Sequence, residues 1–261
     1  MKRASVDTAD TDVSPPSVGP VAEPQDTYAV SAEFYDILQG EADTARVRYL
    51  YRDAVRKARV GVLDVGAGTG RVTLMSLVES PVPVHAVEPA LSMRSALMTR
   101  LAALPIGLRR RVTVHPHSLG DAGLRGVADV AVCHNMLACL PPCARRELWP
   151  MIAAALTPGG SLLVQLPPAR LPHRATCRTL RPQTVGQHQY GGRVIMSAET
   201  DRIRTRFDYW VRGANGVLRE CDETFWMWPA SRGEVIEDLA EYGFVPLPGP
   251  ADPAILAVRR G

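Results

Sequence analysis

Short apolar runs alternate with amphipathic stretches over residues 60–166 of this 261-residue chain. The short runs predict buried strands, and apolar residues that recur every three or four positions predict helices. Alternating strands and helices are typical of a parallel sheet covered on both faces, so we expect an α/β fold. The predicted elements are strands 60–65, 82–88, 111–115, 128–133 and 160–166 and helices 70–79, 92–103 and 142–156.

The pattern changes on both sides of this region. Residues 28–38 and 43–58 have helical periodicity and predict two helices, whereas the polar residues 1–27 predict a disordered tail. After Pro167, apolar and polar residues alternate, which predicts an antiparallel sheet with a hairpin turn at Asn215-Gly216. The predicted elements here are strands 190–200, 203–212 and 217–228, then helix 231–242 and a strand at 254–259.

A glycine turn follows the first predicted strand, in Val62-Leu63-Asp64-Val65-Gly66-Ala67-Gly68-Thr69-Gly70. Glycines let the backbone approach a ligand closely, and the start of the next helix offers unpaired N–H groups. The second strand ends at Glu88, a charged acceptor that suits the hydroxyls of a ribose. Together these features predict a site for a cofactor that contains a nucleoside.

The spacing of the glycines distinguishes between two classes of cofactor. A dinucleotide site has the pattern G-x-G-x-x-G, whereas this turn is Gly66-x-Gly68-x-Gly70 with Asp64 before it. The turn resembles motif I of the class I methyltransferases that use S-adenosylmethionine (SAM). Three later segments resemble the same family in the same order: Pro89-Ala90-Leu91-Ser92-Met93, Ala128-Asp129-Val130-Ala131-Val132-Cys133 and Leu156-Thr157-Pro158-Gly159-Gly160-Ser161-Leu162-Leu163-Val164. The resemblance implies a Rossmann-like fold and SAM as the cofactor, in preference to a nicotinamide.

The resemblance also implies which residues bind SAM. Asp64 and Gly66 would face its amino-acid end, and Glu88 would hold the ribose. Where the family has Gly-Asp after the third strand, this chain has Ser118-Leu119, with Asp121 as a candidate replacement. The implied cofactor-binding set is Asp64, Gly66, Ala67, Gly68, Gly70, Glu88, Pro89, Met93, Ser118, Leu119, Cys133 and His134.

Methyl transfer from a sulfonium needs alignment and exclusion of water more than acid–base groups. His134 is a candidate base, or alternatively a residue that holds SAM. Tyr28 and Tyr35 belong to a segment that resembles the family's N-terminal cap over the methyl group, or else pack a helix on the core. The Asn/Asp-Pro-Pro-aromatic motif of enzymes that methylate DNA adenine or glutamine amides is missing after strand four.

The insertion after Pro167 resembles the β-sheet lid of amine methyltransferases that act on small molecules, such as the sugar N,N-dimethyltransferases; the alternative is a sheet that forms a homodimer. Aromatic residues and carboxylates could hold a cationic amine there, or only pair across strands. The substrate-binding candidates are Tyr190, Tyr209, Trp210, Glu223 and Trp226. The helically spaced Arg170, Arg174, Arg178 and Arg181 predict a solvated face or a strip that docks an acidic substrate.

The composition of the chain limits which binding partners we expect. The net charge of +3 is too small to indicate nucleic acid, and no apolar run is long enough to span a membrane. Five scattered cysteines favour reduced thiols in the cytoplasm. His115 and His117 lack the spacing of metal ligands, so we expect no metal.

The predicted organisation is a tail at 1–27, a SAM-binding core with a helical cap at 28–166, a lid at 167–230 and a C-terminal helix and strand at 231–261. We expect an N-methyltransferase whose acceptor is an amine of a specialised metabolite or of a modified natural-product peptide, including peptides made by the ribosome. The alternatives are an O-methyltransferase, an RNA methyltransferase, which would need a basic binding domain that we do not find, and a non-catalytic SAM-binding partner protein.

Overall fold

The computed structural model describes residues 27–248 and 252–261, so the predicted tail lies outside it except for its last residue. The helices of the described residues are α1 Ser31–Lys57, α2 Arg71–Glu79, α3 Leu91–Ala102, α4 Ile106–Arg109, α5 Leu119–Ala122, α6 Pro142–Ala155 and α7 Arg232–Ala240. The strands are β1 Val62–Val65, β2 Val84–Val87, β3 Val112–His115, β4 Ala128–Cys133, β5 Leu156–Gln165, β6 Thr176–Val185, β7 His188–Glu199, β8 Arg202–Gly213, β9 Gly216–Met227, β10 Phe244–Pro246 and β11 Ile255–Arg260.

Seven strands form the central sheet in the order β10-β11-β5-β4-β1-β2-β3. The strands from β5 to β3 are parallel, and β11 runs antiparallel to both β5 and β10. The chain order reverses at β1, which lies between β4 and β2, and ligands of open α/β sheets bind at such a point beyond the carboxyl ends of the strands. The predicted α/β fold with a parallel sheet is confirmed.

Helices cover both faces of this sheet. One apolar core surrounds the fully buried Trp149 and Ile152 of α6, and the other surrounds Val47 and Tyr51 of α1 together with Leu97 of α3. All four residues of β1 are buried, as expected for a strand with a helical layer on each side. The end of β1 is therefore fixed firmly, and so is the turn that follows it.

The prediction of two N-terminal helices is wrong, because α1 is one helix of 27 residues. The apolar pattern is interrupted between Leu38 and Val47, which suggested a break. In the structure, Asp36 and Asp43 near this interruption form ion pairs with Arg71 of α2. Tertiary contacts thus replace apolar packing over these turns.

The inserted sheet is antiparallel, in the order β6-β7-β8-β9, and follows β5 as predicted. It has four strands, and the sequence predicted three. The missed strand β6 is an edge strand in which only Leu180 is buried, so it lacks the alternation that reveals a half-buried strand. Because Arg178 and Arg181 lie on this strand, the predicted helical strip of arginines does not form. The hairpin at Asn215-Gly216 does form, between β8 and β9.

One face of the inserted sheet packs on the start of α1. Tyr209 stacks on Phe34 with ring centroids 4.4 Å apart, and Phe225 stacks on Tyr28 at 4.9 Å. We call this the inner face. Within residues 27–248 and 252–261, no helix is long and apolar enough to cross a membrane.

Candidate active site

A small cavity lies where β1 and β4 end, beneath α1. Its walls are the glycine turn, the first residues of α2, the residue after β4 and one side of α1. The lining residues are Tyr35, Asp43, Asp64, Gly66, Ala67, Gly68, Thr69, Arg71, Val72 and His134. The structure thus brings five of the predicted cofactor residues and two of the three predicted catalytic residues to one place, with His134 counted in both groups.

The glycine turn is packed from behind and open in the middle. Gly66, Gly68 and Gly70 have φ of +71°, +57° and +92°, a region that side chains with a Cβ adopt at a cost. A Cβ on Gly70 would lie 2.3 Å from Leu97, and one on Gly66 would lie 2.8 Å from Met136. A Cβ on Gly68 would have no neighbour within 4 Å. The turn is therefore a cradle whose free side can receive a ligand.

Glu88 ties the glycine turn to the segment after β2. Its Oε2 accepts a hydrogen bond of 2.6 Å from the backbone N–H of Gly68, and its Oε1 accepts one of 2.8 Å from Ala90. These contacts hold both carboxylate oxygens beside the middle of the glycine turn, where the sequence resemblance places the ribose. The side chain is buried, which makes its position precise.

Asp64 lies one residue before the end of β1 and is almost completely buried. Burial raises the pKa of its carboxyl to about 6, although the hydroxyl of Thr73, which donates to Oδ2 at 2.6 Å, lowers it. This contact connects the strand to α2 and leaves Asp64 on the cavity wall.

Charged residues of α1 close the other side of the cavity. Arg71 donates to Asp43 at 2.6 Å and to Asp36 at 2.9 Å. The hydroxyl of Thr69 donates to Asp36 at 2.8 Å, and Arg100 of α3 pairs with the same carboxylate at 2.5 Å. The cap predicted from the sequence is thus held over the glycine turn by ion pairs that the sequence did not predict.

His134 lies between two side chains of α1. Its Nδ1 is 3.0 Å from the hydroxyl of Tyr51, and its Nε2 is 3.1 Å from Oδ1 of Asp43. Burial alone would raise the pKa of Asp43, but its contacts with His134 and Arg71 hold that pKa below the usual value. Both ring nitrogens of His134 therefore have protein partners.

Of the two candidate tyrosines, only Tyr35 is among the residues that line the cavity. Tyr35 lines the cavity, with its ring 4.5 Å from the guanidinium of Arg71. Tyr28 places its hydroxyl 3.9 Å from Sγ of Cys139, in the segment after β4. Burial raises the pKa of each phenol, so both remain neutral donors.

The other implied cofactor residues do not line the cavity. Met93 and Leu119 are buried, as is Cys133 at the end of β4, whereas Pro89 is exposed. Ser118 accepts a hydrogen bond from the backbone N–H of Asp121 and so caps the start of α5. Ser118 and Asp121 interact with each other, since the serine hydroxyl donates to Oδ2 of Asp121 at 2.6 Å.

The five substrate candidates fall on two faces of the inserted sheet, because adjacent residues of a strand point in opposite directions. Tyr190, Tyr209 and Glu223 lie on the inner face, where Glu223 accepts a 2.7 Å hydrogen bond from the backbone N–H of Ser31. Trp210 and Trp226 lie on the outer face, beneath the guanidinium groups of Arg212 and Arg202. The five residues cannot form one aromatic box.

Several residues of the site escaped the sequence analysis. What they share is a polar side chain on α1, on the turn, at the start of α2 or after β4 that meets its partner only in the folded chain: Asp36, Asp43, Tyr51, Thr69, Arg71 and Asn135. Only Asn135 had a signal in the sequence, because it lies just beyond the end of a predicted strand; its backbone adopts φ of +53° in the structure. Among the described residues, no three His, Cys, Asp or Glu side chains are grouped so that they could hold a metal ion.

Residues 63–162 match the family model described as a methyltransferase domain. No protein of curated function matches the sequence. Among solved structures, the sugar N-methyltransferase KedS8 from Streptoalloteichus is 21% identical, with a TM-score of 0.68 over 98% of this chain and 99% of that one.

Two other solved structures share the fold. The SAM-bound amino pentose methyltransferase CalS10 from Micromonospora echinaspora is 21% identical, with a TM-score of 0.61 over 88% and 94% of the two chains. The glycopeptide N-methyltransferase MtfA, in complex with SAM, is 20% identical, with a TM-score of 0.51 over 83% and 92%. Residues 63–162 thus match a methyltransferase domain, and the whole chain shares its fold with structures that are named as methyltransferases.

Proposed function

We propose that this enzyme methylates an amine of a specialised metabolite or of a modified natural-product peptide. The observation that carries the proposal is the inserted sheet, whose inner face borders the site through α1 and carries the carboxylate of Glu223. KedS8 and MtfA, which share this fold, are named as N-methyltransferases of a sugar and of a glycopeptide. An amine is therefore the acceptor that we favour.

The residues of the site fit SAM. The open side of the turn at Gly68 can receive the cofactor, and Glu88 would hold the ribose. SAM supplies a reactive methyl group and a neutral leaving group, so the protein has only to align the acceptor with the sulfonium and exclude water. Tyr28 and Tyr35 are half-buried at the start of α1 and would serve the second purpose.

Glu223 is our candidate for binding the acceptor amine. It reaches Ser31, one helical turn before Tyr35, and the stacked pair of Tyr28 and Phe225 lies on the same face. A carboxylate beside aromatic rings attracts a cationic amine and can also draw away the proton that must leave before methylation. Tyr209 is less suited, since its ring stacks on Phe34 and its hydroxyl donates to Ser31.

We assign His134 a positioning role in this proposal. Its ring nitrogens contact Tyr51 and Asp43, which leaves neither nitrogen directed only at an acceptor. An O-methyltransferase would instead need a base, and the contact between His134 and Asp43 is the observation that favours that second candidate.

Calorimetry with SAM tests the cofactor site. The wild type should bind SAM and should not bind NAD, and Glu88→Gln should weaken SAM binding by roughly tenfold or more, the worth of a charged hydrogen bond. Glu147→Gln changes an exposed carboxylate of α6 that does not line the cavity, and it serves as the matched control. Equal affinities of Glu88→Gln and the wild type would remove the ribose role.

Matched acceptors separate nitrogen from oxygen. Aminosugars and peptides with free amines should yield methylated products by mass spectrometry, and the corresponding hydroxyl sugars or acetylated peptides should not. Glu223→Gln should raise KM for the amine and leave the affinity for SAM unchanged. Methylation of the hydroxyl compounds alone, abolished by His134→Gln, would establish the O-methyltransferase instead.

A further inference from the structure

One donor of Arg71 is buried without a partner. The side chain is 5% exposed, its Nη1 donates to Asp43 and its Nη2 to Asp36. Its Nε has no hydrogen-bond partner among the residues that the structure describes. An unpaired buried donor costs about 1–3 kcal/mol, and such groups in native proteins usually indicate a ligand or a functional role.

The charges around Arg71 indicate what this ligand is. Arg71 lines the cavity together with the carboxylates Asp43 and Asp64 and the glycine turn. A guanidinium binds a carboxylate through directed N–H donors, and an aspartate suits an ammonium group. A ligand with both groups on one carbon fits this arrangement, and the methionyl end of SAM is such a group.

We propose that Arg71 binds the carboxylate of the methionyl group of SAM through its Nε–H, while Asp43 holds the guanidinium in place. The inference rests on the proposed SAM site and adds a contact that the sequence resemblance did not assign. Without Arg71, the carboxylate of the cofactor would face Asp43 and Asp64, with no cation among the residues that line the cavity.

A purely structural latch explains the geometry less well. Asp36 already pairs with Arg100, and it also accepts a hydrogen bond from Thr69. Arg100 is 32% exposed and does not line the cavity, so it can fasten α1 from outside. Arg71 is the buried member of this network, and a purely structural latch would leave its buried Nε donor unpaired.

Calorimetry with two ligands tests the proposal. Decarboxylated SAM keeps the ammonium and the sulfonium and lacks only the carboxylate. The wild type should bind SAM roughly 10- to 100-fold more tightly than the decarboxylated compound, as a charge-assisted hydrogen bond predicts. In Arg71→Gln, the affinity for SAM should fall while the affinity for decarboxylated SAM stays the same, so most of this ratio should disappear. Arg100→Gln, the matched control, should keep the ratio.

The other outcomes overturn the proposal. If Arg71→Gln loses affinity for SAM and for decarboxylated SAM equally, Arg71 is only a structural latch. If the wild type binds the two compounds equally tightly, no residue of the site contacts the carboxylate. If Arg71→Gln does not fold, Arg71→Lys keeps the charge and removes Nε–H, and an unchanged ratio in that variant refutes the assignment. Failure of the wild type to bind SAM would instead refute the proposed cofactor site.

Discussion

Asp64→Asn should stabilise the protein at neutral pH. Burial raises the pKa of Asp64 from 3.8 to about 6, so the folded chain resists ionisation of this carboxyl. The unfolded chain loses that proton first as the pH rises, and the stability of the wild type therefore falls between about pH 4 and 6. Asparagine keeps the shape and can still accept the hydrogen bond from Thr73.

The size of the effect follows from the two pKa values. A rise from 3.8 to about 6 corresponds to about 3 kcal/mol above pH 7 and to about half of that at pH 5. The unpaired amide of asparagine costs about 1 kcal/mol at every pH, so the pH-dependent part is the diagnostic quantity. The stability gain of Asp64→Asn over the wild type should grow by about 1.3 kcal/mol from pH 5 to pH 7.

Urea unfolding of both proteins at pH 5 and pH 7 measures this growth. A gain that is equal at the two pH values would show that Asp64 is not held protonated by burial. Calorimetry on the same variant should show weaker SAM binding, because Asp64 is expected to face the charged end of the cofactor. A variant that is both more stable and tighter in binding would contradict the functional placement of this carboxylate.

Three further substitutions test other contacts. Partial burial alone would raise the pKa of Asp129, but three backbone N–H donors before β1 hold it below its usual value. Asp129→Asn should therefore cost about 1–2 kcal/mol at pH 7 in urea unfolding, and less as the pH falls below about 4. Gly70→Ala should cost about 2 kcal/mol or more in thermal unfolding, because its Cβ would lie 2.3 Å from Leu97 at φ of +92°. Arg145→Met should cost about 2–4 kcal/mol, because Arg145 is buried and donates to backbone carbonyls that include Trp228 at the end of the inserted sheet.

Matched variants control for these substitutions. Gly68 also has a positive φ, but a Cβ at this position would have no neighbour within 4 Å. Gly68→Ala should therefore lower the free energy of unfolding by only about 1 kcal/mol, through backbone strain. Arg146→Met removes an exposed guanidinium beside Arg145 and should leave stability nearly unchanged. A loss in Gly68→Ala equal to that in Gly70→Ala would refute the collision with Leu97, and equal effects at 145 and 146 would refute the role of the buried donor.

The sequence located the parts of the site that depend on local rules. The glycine turn requires positive φ at three nearby positions, and Glu88 directly follows a short strand that is mostly apolar, so both can be recognised without tertiary contacts. The inner and outer faces of the inserted sheet were also implicit, because Tyr209 and Trp210 are consecutive in a strand. Strand β6 was missed because an exposed edge strand carries almost no hydrophobic alternation.

The tertiary structure alone decided which polar residues meet at the cavity. Arg71 contacts Asp43 across 28 positions, and Asp43 contacts His134 across 91. No periodicity indicates such pairs, since a charged residue on a helix has the same pattern whether it faces water or a buried partner. The sequence by itself thus determined the α/β fold and the glycine cradle after β1, because these follow from backbone geometry and apolar spacing. The ion pairs that hold α1 over the cradle depend on how separate elements pack, and only the folded chain specifies that.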